Sequence, residues 1–348
     1  MRIDPLVRIV GLATELPATT ETTAWAVRAG RLSEQDAQGS GYTELPVAGD
    51  VAAPQLAAGA ATSALRVAGL PAEDLDLVAH AWTHYQGHDF WSPAHYVAAA
   101  TGAHAAEPVG VQQMCNGGAA ALTTAVTRLL ADPGTHRALV TTADCFGAPG
   151  FDRWRGDYGV LYGDSGTAAV LTDEPVGHGL DLLAVSTVAA PELERMHRGD
   201  DPFHPAGRMP TATVDVRRTK KAYLAMAGKE AFGKTVATRV HDVLAAGLAD
   251  AGIDAGRPRL VLLPRLGATG LTEIYRPAVA TVLPAPAIDL GGHTGHLGAG
   301  DLIANLTVAV DEDLLRPGDV AVALSAGAGF TWTCVVVRRP HRDERTNS

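Results

Sequence analysis

Three cysteines in 348 residues, Cys115, Cys145 and Cys334, are too few and too irregularly spaced for a disulfide framework or a zinc motif. A reducing, cytoplasmic setting is expected, and no metal site. No uninterrupted apolar run is long enough to span a bilayer, so no membrane role is expected. The opening stretch carries Asp4 and Pro5 where a secretory signal would need an apolar segment. Basic residues are in deficit: 28 Lys and Arg against 38 Asp and Glu give a net charge of −10, which argues against nucleic acid as a partner. What remains is a chain 47% hydrophobic and 19% charged, the balance of a compact globular enzyme large enough for two fused cores.

Strand and helix patterns alternate along the chain. Strands are predicted over 7–12, 75–82, 109–113, 138–142 and 160–171, with helices over 54–67, 94–100 and 115–130. A second set follows: strands over 182–188, 260–263, 320–324 and 331–337, helices over 223–248, 274–282 and 303–310, and a polar loop over 192–219. Continuous apolar strands between helices predict an α/β protein whose sheet is covered on both faces. The boundary between halves is placed at 175, giving 1–175 and 176–348.

Cys115 stands where an apolar run ends and small residues begin, in Gln112-Gln113-Met114-Cys115-Asn116-Gly117-Gly118. Leu122, Val126 and Leu129 recur at helical intervals behind it, and Asp132-Pro133-Gly134 stops the pattern. The cysteine therefore lies at or beside a helix N-terminus, where free N–H groups and the helix dipole favour a thiolate. Nucleophile and inert, space-filling cysteine are both compatible with this spacing. Neither glycine-rich segment, 291–300 or 326–329, matches a dinucleotide fingerprint, so no cofactor is expected beyond a thioester substrate.

Four segments, in order, carry a resemblance: Gln112 to Gly118; Tyr162-Gly163-Asp164-Ser165-Gly166-Thr167-Ala168-Ala169-Val170; Gly295-His296-Leu297-Gly298-Ala299-Gly300-Asp301; and Leu324-Ser325-Ala326-Gly327-Ala328-Gly329-Phe330-Thr331-Trp332. Together they resemble the β-ketoacyl-acyl carrier protein synthase III branch of the thiolase superfamily, over nearly the whole chain. The resemblance implies a thiolase fold, two fused βαβαβαββ halves in a five-layer αβαβα arrangement, and a homodimer. It implies a donor that is malonyl-CoA or another acyl-CoA, or an acyl-carrier protein.

The departures from that family bear on the chemistry. Condensing members hold a histidine in a Pro-His-Gln stretch; the matching stretch here is Pro264-Arg265-Leu266. Their second-half asparagine is replaced by His296, and Asp301 follows. This is similar to the synthase III-like acyltransferases of aromatic polyketide pathways, which use a Cys/Ser-His-Asp triad. The likeness implies catalysis by Cys115, His296 and Asp301, with ester formation on a glycosylated polyketide acceptor and malonyl as the acyl group. Oxyanion donors would be the backbone N–H groups of Cys115 and Ala328. A starter-unit synthase forming a carbon–carbon bond, a thioester hydrolase and a non-catalytic partner protein are the alternatives. His293 is a rival base, and Asp301 is also a natural helix N-cap.

Four further residues are expected at the substrate: Phe90, where the family uses a phenylalanine from the dimer partner, although interface packing would serve as well; Arg153 and Arg155, near a family arginine that stacks on adenine; and Arg265, which could meet a malonyl carboxylate. The basic run Arg217, Arg218, Lys220 and Lys221 could meet donor phosphates or form a solvated helix face. His80, His84 and His88 have ligand-like spacing, but a strand pattern and Gly87 make a metal site implausible there.

Overall fold

The computed structural model describes residues 1–207, 209 and 211–341. In chain order the first part contains β1 (Arg2–Glu15), β2 (Thr20–Thr22), α1 (Thr23–Arg28), α2 (Glu34–Ser40), β3 (Glu44–Pro46), α3 (Ala53–Ala68), β4 (Leu77–Ala81), α4 (Pro93–Thr101), β5 (Glu107–Val111), α5 (Gly117–Ala131), β6 (Arg137–Asp144) and β7 (Ser165–Thr172). The second contains β8 (Leu180–Ala189), α6 (Arg195–Arg198), α7 (Val216–Ala227), α8 (Lys229–Ala251), β9 (Pro258–Leu262), α9 (Ala268–Gly270), α10 (Arg276–Ala280), β10 (Ala287–Ile288), α11 (Asp301–Asp311), β11 (Val320–Gly327) and β12 (Thr331–Arg338).

The large sheet has ten strands in the order β10-β9-β11-β12-β8-β1-β7-β6-β4-β5. Read outward from the β8–β1 seam, both arms follow one plan. In each, the first strand pairs with the last, and the second and fourth strands pair in parallel. The antiparallel seam joins Ile9 to Leu180 and Val7 to Leu182.

Alternation along the strands builds the layers. Leu77, Ala79, Val140, Leu262, Ala323 and Val335 face one shared core, into which α5 and α11 send Leu122, Val126, Ile303 and Leu306. Their neighbours Val78, Leu139 and Val170 face outward to α3 and α4. On the other arm Val261, Val322 and Val336 face α8 and α10. The sheet arms thus enclose α5 and α11 and are covered outside by helices. This is the five-layer thiolase arrangement, with period-2 burial on both faces.

Local chemistry explains where elements differ from the sequence pattern. The helix predicted over 223–248 is two helices, because Gly228 breaks it at φ +87°. The strand predicted over 160–171 begins only at Ser165; Asp164 before it is drawn into a buried pair with Arg153. Within the polar loop, α6 forms at 195–198 and α7 begins at Val216. Among the described residues no helix is long and apolar enough to cross a membrane.

Candidate active site

Cys115 is 9% exposed and sits two residues before α5. Met114 holds a positive φ of +49°, a sharp turn that carries the chain from β5 into the helix. The backbone N–H groups of Asn116 and Gly117 bond Gln113 and Met114 at 3.2 and 2.8 Å. The Asn116 amide bonds Gln113 Oε1 at 2.7 Å and Thr333 Oγ1 on β12 at 3.0 Å, tying the nucleophile turn to the opposite arm. The β11–β12 turn closes against it: a Cβ on Gly327 would lie 2.4 Å from the Asn116 nitrogen. Ala328 follows directly in that turn.

His296 and Asp301 come from the segment that leads into α11. His296 is 2% exposed, and its Nδ1 lies 2.6 Å from Asp301 Oδ2. Asp301 also accepts the main-chain N–H of Leu297 at 2.8 Å on Oδ1 and that of Arg265 at 2.8 Å on Oδ2. Burial opposes a charge on His296. The Asp301 carboxylate and the Cys115 sulfur, by charge and hydrogen bonding, nevertheless hold its pKa well above the ordinary value. Burial likewise pushes Asp301 up, but the charge of His296 and their hydrogen bond bring it below the usual carboxylate range. The direction favours an imidazolium held and oriented by the Asp301 carboxylate.

The rival base does not share this position. His293 is exposed, its Nδ1 3.0 Å from Thr43 Oγ1 and 3.4 Å from Glu44 Oε1. Asp301 is the first residue of α11, so it also supplies the acidic charge of that first turn.

The four expected substrate residues divide. Phe90 is fully exposed on the segment between β4 and α4, with φ +50°. Arg155 lines a surface pocket of about 380 Å³ with Arg31, Leu32, Ser33, Trp154 and Arg217. Its Nε donates to the Arg31 carbonyl at 2.9 Å. Arg153 is instead buried: its two terminal nitrogens bond Asp164 at 2.9 and 2.8 Å, and Nη1 also reaches the Pro46 and Tyr162 carbonyls. That closed pairing engages Arg153 within the protein, while Arg155 stands exposed at the pocket. Arg265 is buried too, with Nε on Asn305 Oδ1 at 2.9 Å and Nη1 on Thr294 Oγ1 at 2.6 Å. Through these bonds and its main-chain N–H, Arg265 braces the segment behind Asp301.

The basic run on α7 is also engaged internally. Arg217 pairs with Asp36 at 2.9 Å, Arg218 with Asp201, and Lys220 with buried Asp157 at 2.8 Å. Lys221 lies over the Tyr158 ring at 5.3 Å. His80 is buried on β4, bonded to Thr141 and Gln86 at 2.9 and 3.2 Å. Burial pushes the Cys334 thiol up to about 12 and raises Cys145 further, so both are poor nucleophiles.

Sequence reasoning missed Tyr162 as a site residue. Its ring meets the His296 ring edge-on at 5.3 Å, and its hydroxyl donates to Asp157 Oδ2 at 2.6 Å. Adjacency to the family's Gly-Asp turn was the available signal.

A five-layer sandwich with a cysteine at the head of one central helix and a His–Asp pair at the head of the other defines a thiolase-superfamily enzyme of the synthase III type. A family model for the C-terminal part of 3-oxoacyl-[acyl-carrier-protein (ACP)] synthase III matches residues 284–339. A β-ketoacyl-[acyl-carrier-protein] synthase III of Roseiflexus castenholzii is 30% identical over 291 residues, 81% of this chain and 82% of the relative. That of Rhizorhabdus wittichii is 28% identical over 329 residues, 93% of each. Among solved structures, the acyltransferase ChlB3 superposes with a TM-score of 0.88 at 34% identity, covering 97% of this chain and 98% of that one. The synthase III of Aquifex aeolicus shares the fold, with a TM-score of 0.77 at 24% identity, covering 95% and 99%. The chain belongs to the β-ketoacyl-ACP synthase III family.

Proposed function

We propose that this family member is an O-acyltransferase rather than a condensing synthase. It takes an acyl group, malonyl in the first instance, from a coenzyme A or carrier-protein thioester onto Cys115. It then delivers the group to a hydroxyl of a glycosylated aromatic polyketide. The observation that carries this reading is the His296–Asp301 contact of 2.6 Å beside Cys115, with Arg265 where condensing relatives place a histidine. The likeness to the acyltransferase ChlB3 supports it, as does the resemblance of the His296–Asp301 segment to synthase III-like acyltransferases of aromatic polyketide pathways.

The chemistry follows from the pair. The Cys115 thiolate adds to the thioester carbonyl, and the oxyanion is met by the N–H groups of Cys115 and Ala328. The carbon–sulfur bond of the donor breaks, and the departing thiolate takes the His296 proton. Acylation removes the sulfur's negative charge, one of the influences that raise His296. The imidazole, now neutral, can accept the proton of the acceptor hydroxyl as its oxygen attacks the acyl carbon. Ester release regenerates the thiolate–imidazolium pair. A buried arginine bonded to Thr294 and Asn305 is poorly suited to steady an enolate, so malonyl would move with its carboxylate intact.

The second reading, carbon–carbon bond formation, is favoured by the names of the sequence relatives, which are synthases. Intact-protein mass spectrometry after malonyl-CoA, with a Cys115→Ala control, separates the two. A malonyl adduct absent from the control supports transfer; an acetyl adduct left after loss of carbon dioxide supports condensation. No adduct with malonyl, acetyl or longer donors would overturn the coenzyme A form of the proposal.

A further inference from the structure

Asp144 ends β6 and is fully buried. Its Oδ1 accepts the main-chain N–H groups of Thr83 and His84 at 2.8 and 2.7 Å, from the turn after β4. Its Oδ2 accepts the N–H of Ala299 at 3.0 Å, from the segment between His296 and Asp301. One carboxylate therefore joins the nucleophile's half of the molecule to the loop that carries the base.

Two glycines show how tightly this loop is seated. Gly298 has φ +60°, and a Cβ there would stand 2.2 Å from Asp144 Oδ2. Gly118, in the first turn behind Cys115, leaves room for the Ala299 carbonyl; a Cβ would lie 2.4 Å from that oxygen. Ala299 is thus held by its N–H on Asp144 and packed by its carbonyl on α5. Both restraints act on Ala299, three residues from His296, and the second is made at Gly118, three residues from Cys115.

We propose that Asp144 is the positioning residue of the catalytic loop: its carboxylate clamps the Gly298–Ala299 segment and so sets the approach of His296 to Cys115. It touches no reacting atom and acts through main-chain geometry. Misplacement of a catalytic group by about 1 Å can cost on the order of 100-fold in rate, so a clamp of this kind has leverage on the reaction.

The charged and titratable neighbours of Asp144 are few. Its own strand continues into Cys145. The turn after β4 presents His84, stacked on Phe146 at 6.0 Å between centroids. The turn before β7 presents Asp164, neutralised by Arg153. The catalytic loop presents the His296–Asp301 pair. Among the described residues Asp144 is met by hydrogen-bond donors and by no lysine or arginine. Burial pushes its pKa up to about 6, while the N–H donors of Ala299, His84 and Thr83 hold it from rising further. At neutral pH it is a carboxylate with its oxygens free to accept; protonation on the acid side sets an O–H against an N–H.

The inference rests on the pairing of Cys115 with His296 and not on the acyl group or acceptor, so its test uses neither. Cys115 alkylation by iodoacetamide is followed by peptide mass spectrometry from pH 5 to 8, with thermal melts at each pH, in the wild type and in Asp144→Asn. The wild-type rate should fall as pH drops through about 6. The variant should react about tenfold more slowly at neutral pH and lack that acid step. Unfolding would not mimic the step. A carboxylate whose folded pKa is raised contributes stability that is complete below its unfolded pKa and lost as pH rises through about 6. A wild-type rate and an unchanged acid step in Asp144→Asn would overturn the proposal. If that variant does not fold, Gly298→Ala crowds the same oxygen and should slow alkylation likewise; a wild-type rate there overturns it too. A failure of malonyl transfer would leave these outcomes untouched.

Discussion

Arg265 reaches Asp301 through its main chain: its backbone N–H donates at 2.8 Å to the same carboxylate oxygen that holds His296. The guanidinium turns to Asn305 and Thr294 instead. The Asp301 carboxylate is thus fixed by backbone N–H groups at 265 and 297. Asp301→Asn keeps the shape but puts an N–H donor where acceptors are needed. Acylation of Cys115 should fall by about 10³–10⁴-fold, the scale of a lost triad carboxylate. Quenched-flow mass spectrometry reads this directly, and a loss under tenfold would remove Asp301 from the catalytic set.

Arg153 and Arg155 are two residues apart and should behave oppositely. Removing Arg153 strands Asp164, which is buried, and breaking such a pair costs about 3–5 kcal/mol. Arg153→Ala should show that loss in urea denaturation. Arg155 lies exposed at the rim of its pocket, so Arg155→Ala should leave the urea midpoint unchanged and raise KM for a coenzyme A donor. Equal stability losses in the two variants would contradict the assignment.

His296 titration provides a pH test. A histidine raised in the fold contributes stability that is fully present below its ordinary 6.5 and is lost as pH rises through the elevated folded value. Cys115→Ala removes one of the raising influences. The His296 midpoint, followed by ring-proton NMR, should therefore drop in the variant. A midpoint unchanged from the wild type would show that sulfur and imidazole do not interact.

Phe90 is fully exposed in its own chain. Phe90→Ala should alter monomer stability by no more than about 0.5 kcal/mol. If the ring enters a partner's site, donor kcat/KM should fall together with any change in light-scattering mass. An unchanged kcat/KM would leave Phe90 outside the substrate path.

Much of this molecule was legible in its sequence because apolar periodicity and turn residues act locally. The helix behind Cys115 and the strands around Val140, Val322 and Val335 follow directly from their patterns. His296 and Asp301 were legible because they replace family residues within one short segment. The burial of Arg153 was not legible because its partner Asp164 becomes visible only once the chain folds back. The bracing role of Arg265 was not legible because sequence shows a charge but not the Thr294 and Asn305 side chains it meets. Asp144 gave no signal at all: its partners are backbone groups from two distant loops.

The seam between the two arms bears on how the chain is made. β1 leaves the ribosome before β7 and β8, yet it pairs with β7 on one side and with β8 on the other. Ile9 and Val7, fully covered in the finished sheet, must therefore remain without their strand partners until Leu171, and then Leu180 and Leu182, have been synthesised. At about 5–20 residues per second that interval lasts roughly ten to thirty seconds. During that time β1 is an apolar strand without its sheet neighbours, a natural client for a ribosome-associated chaperone.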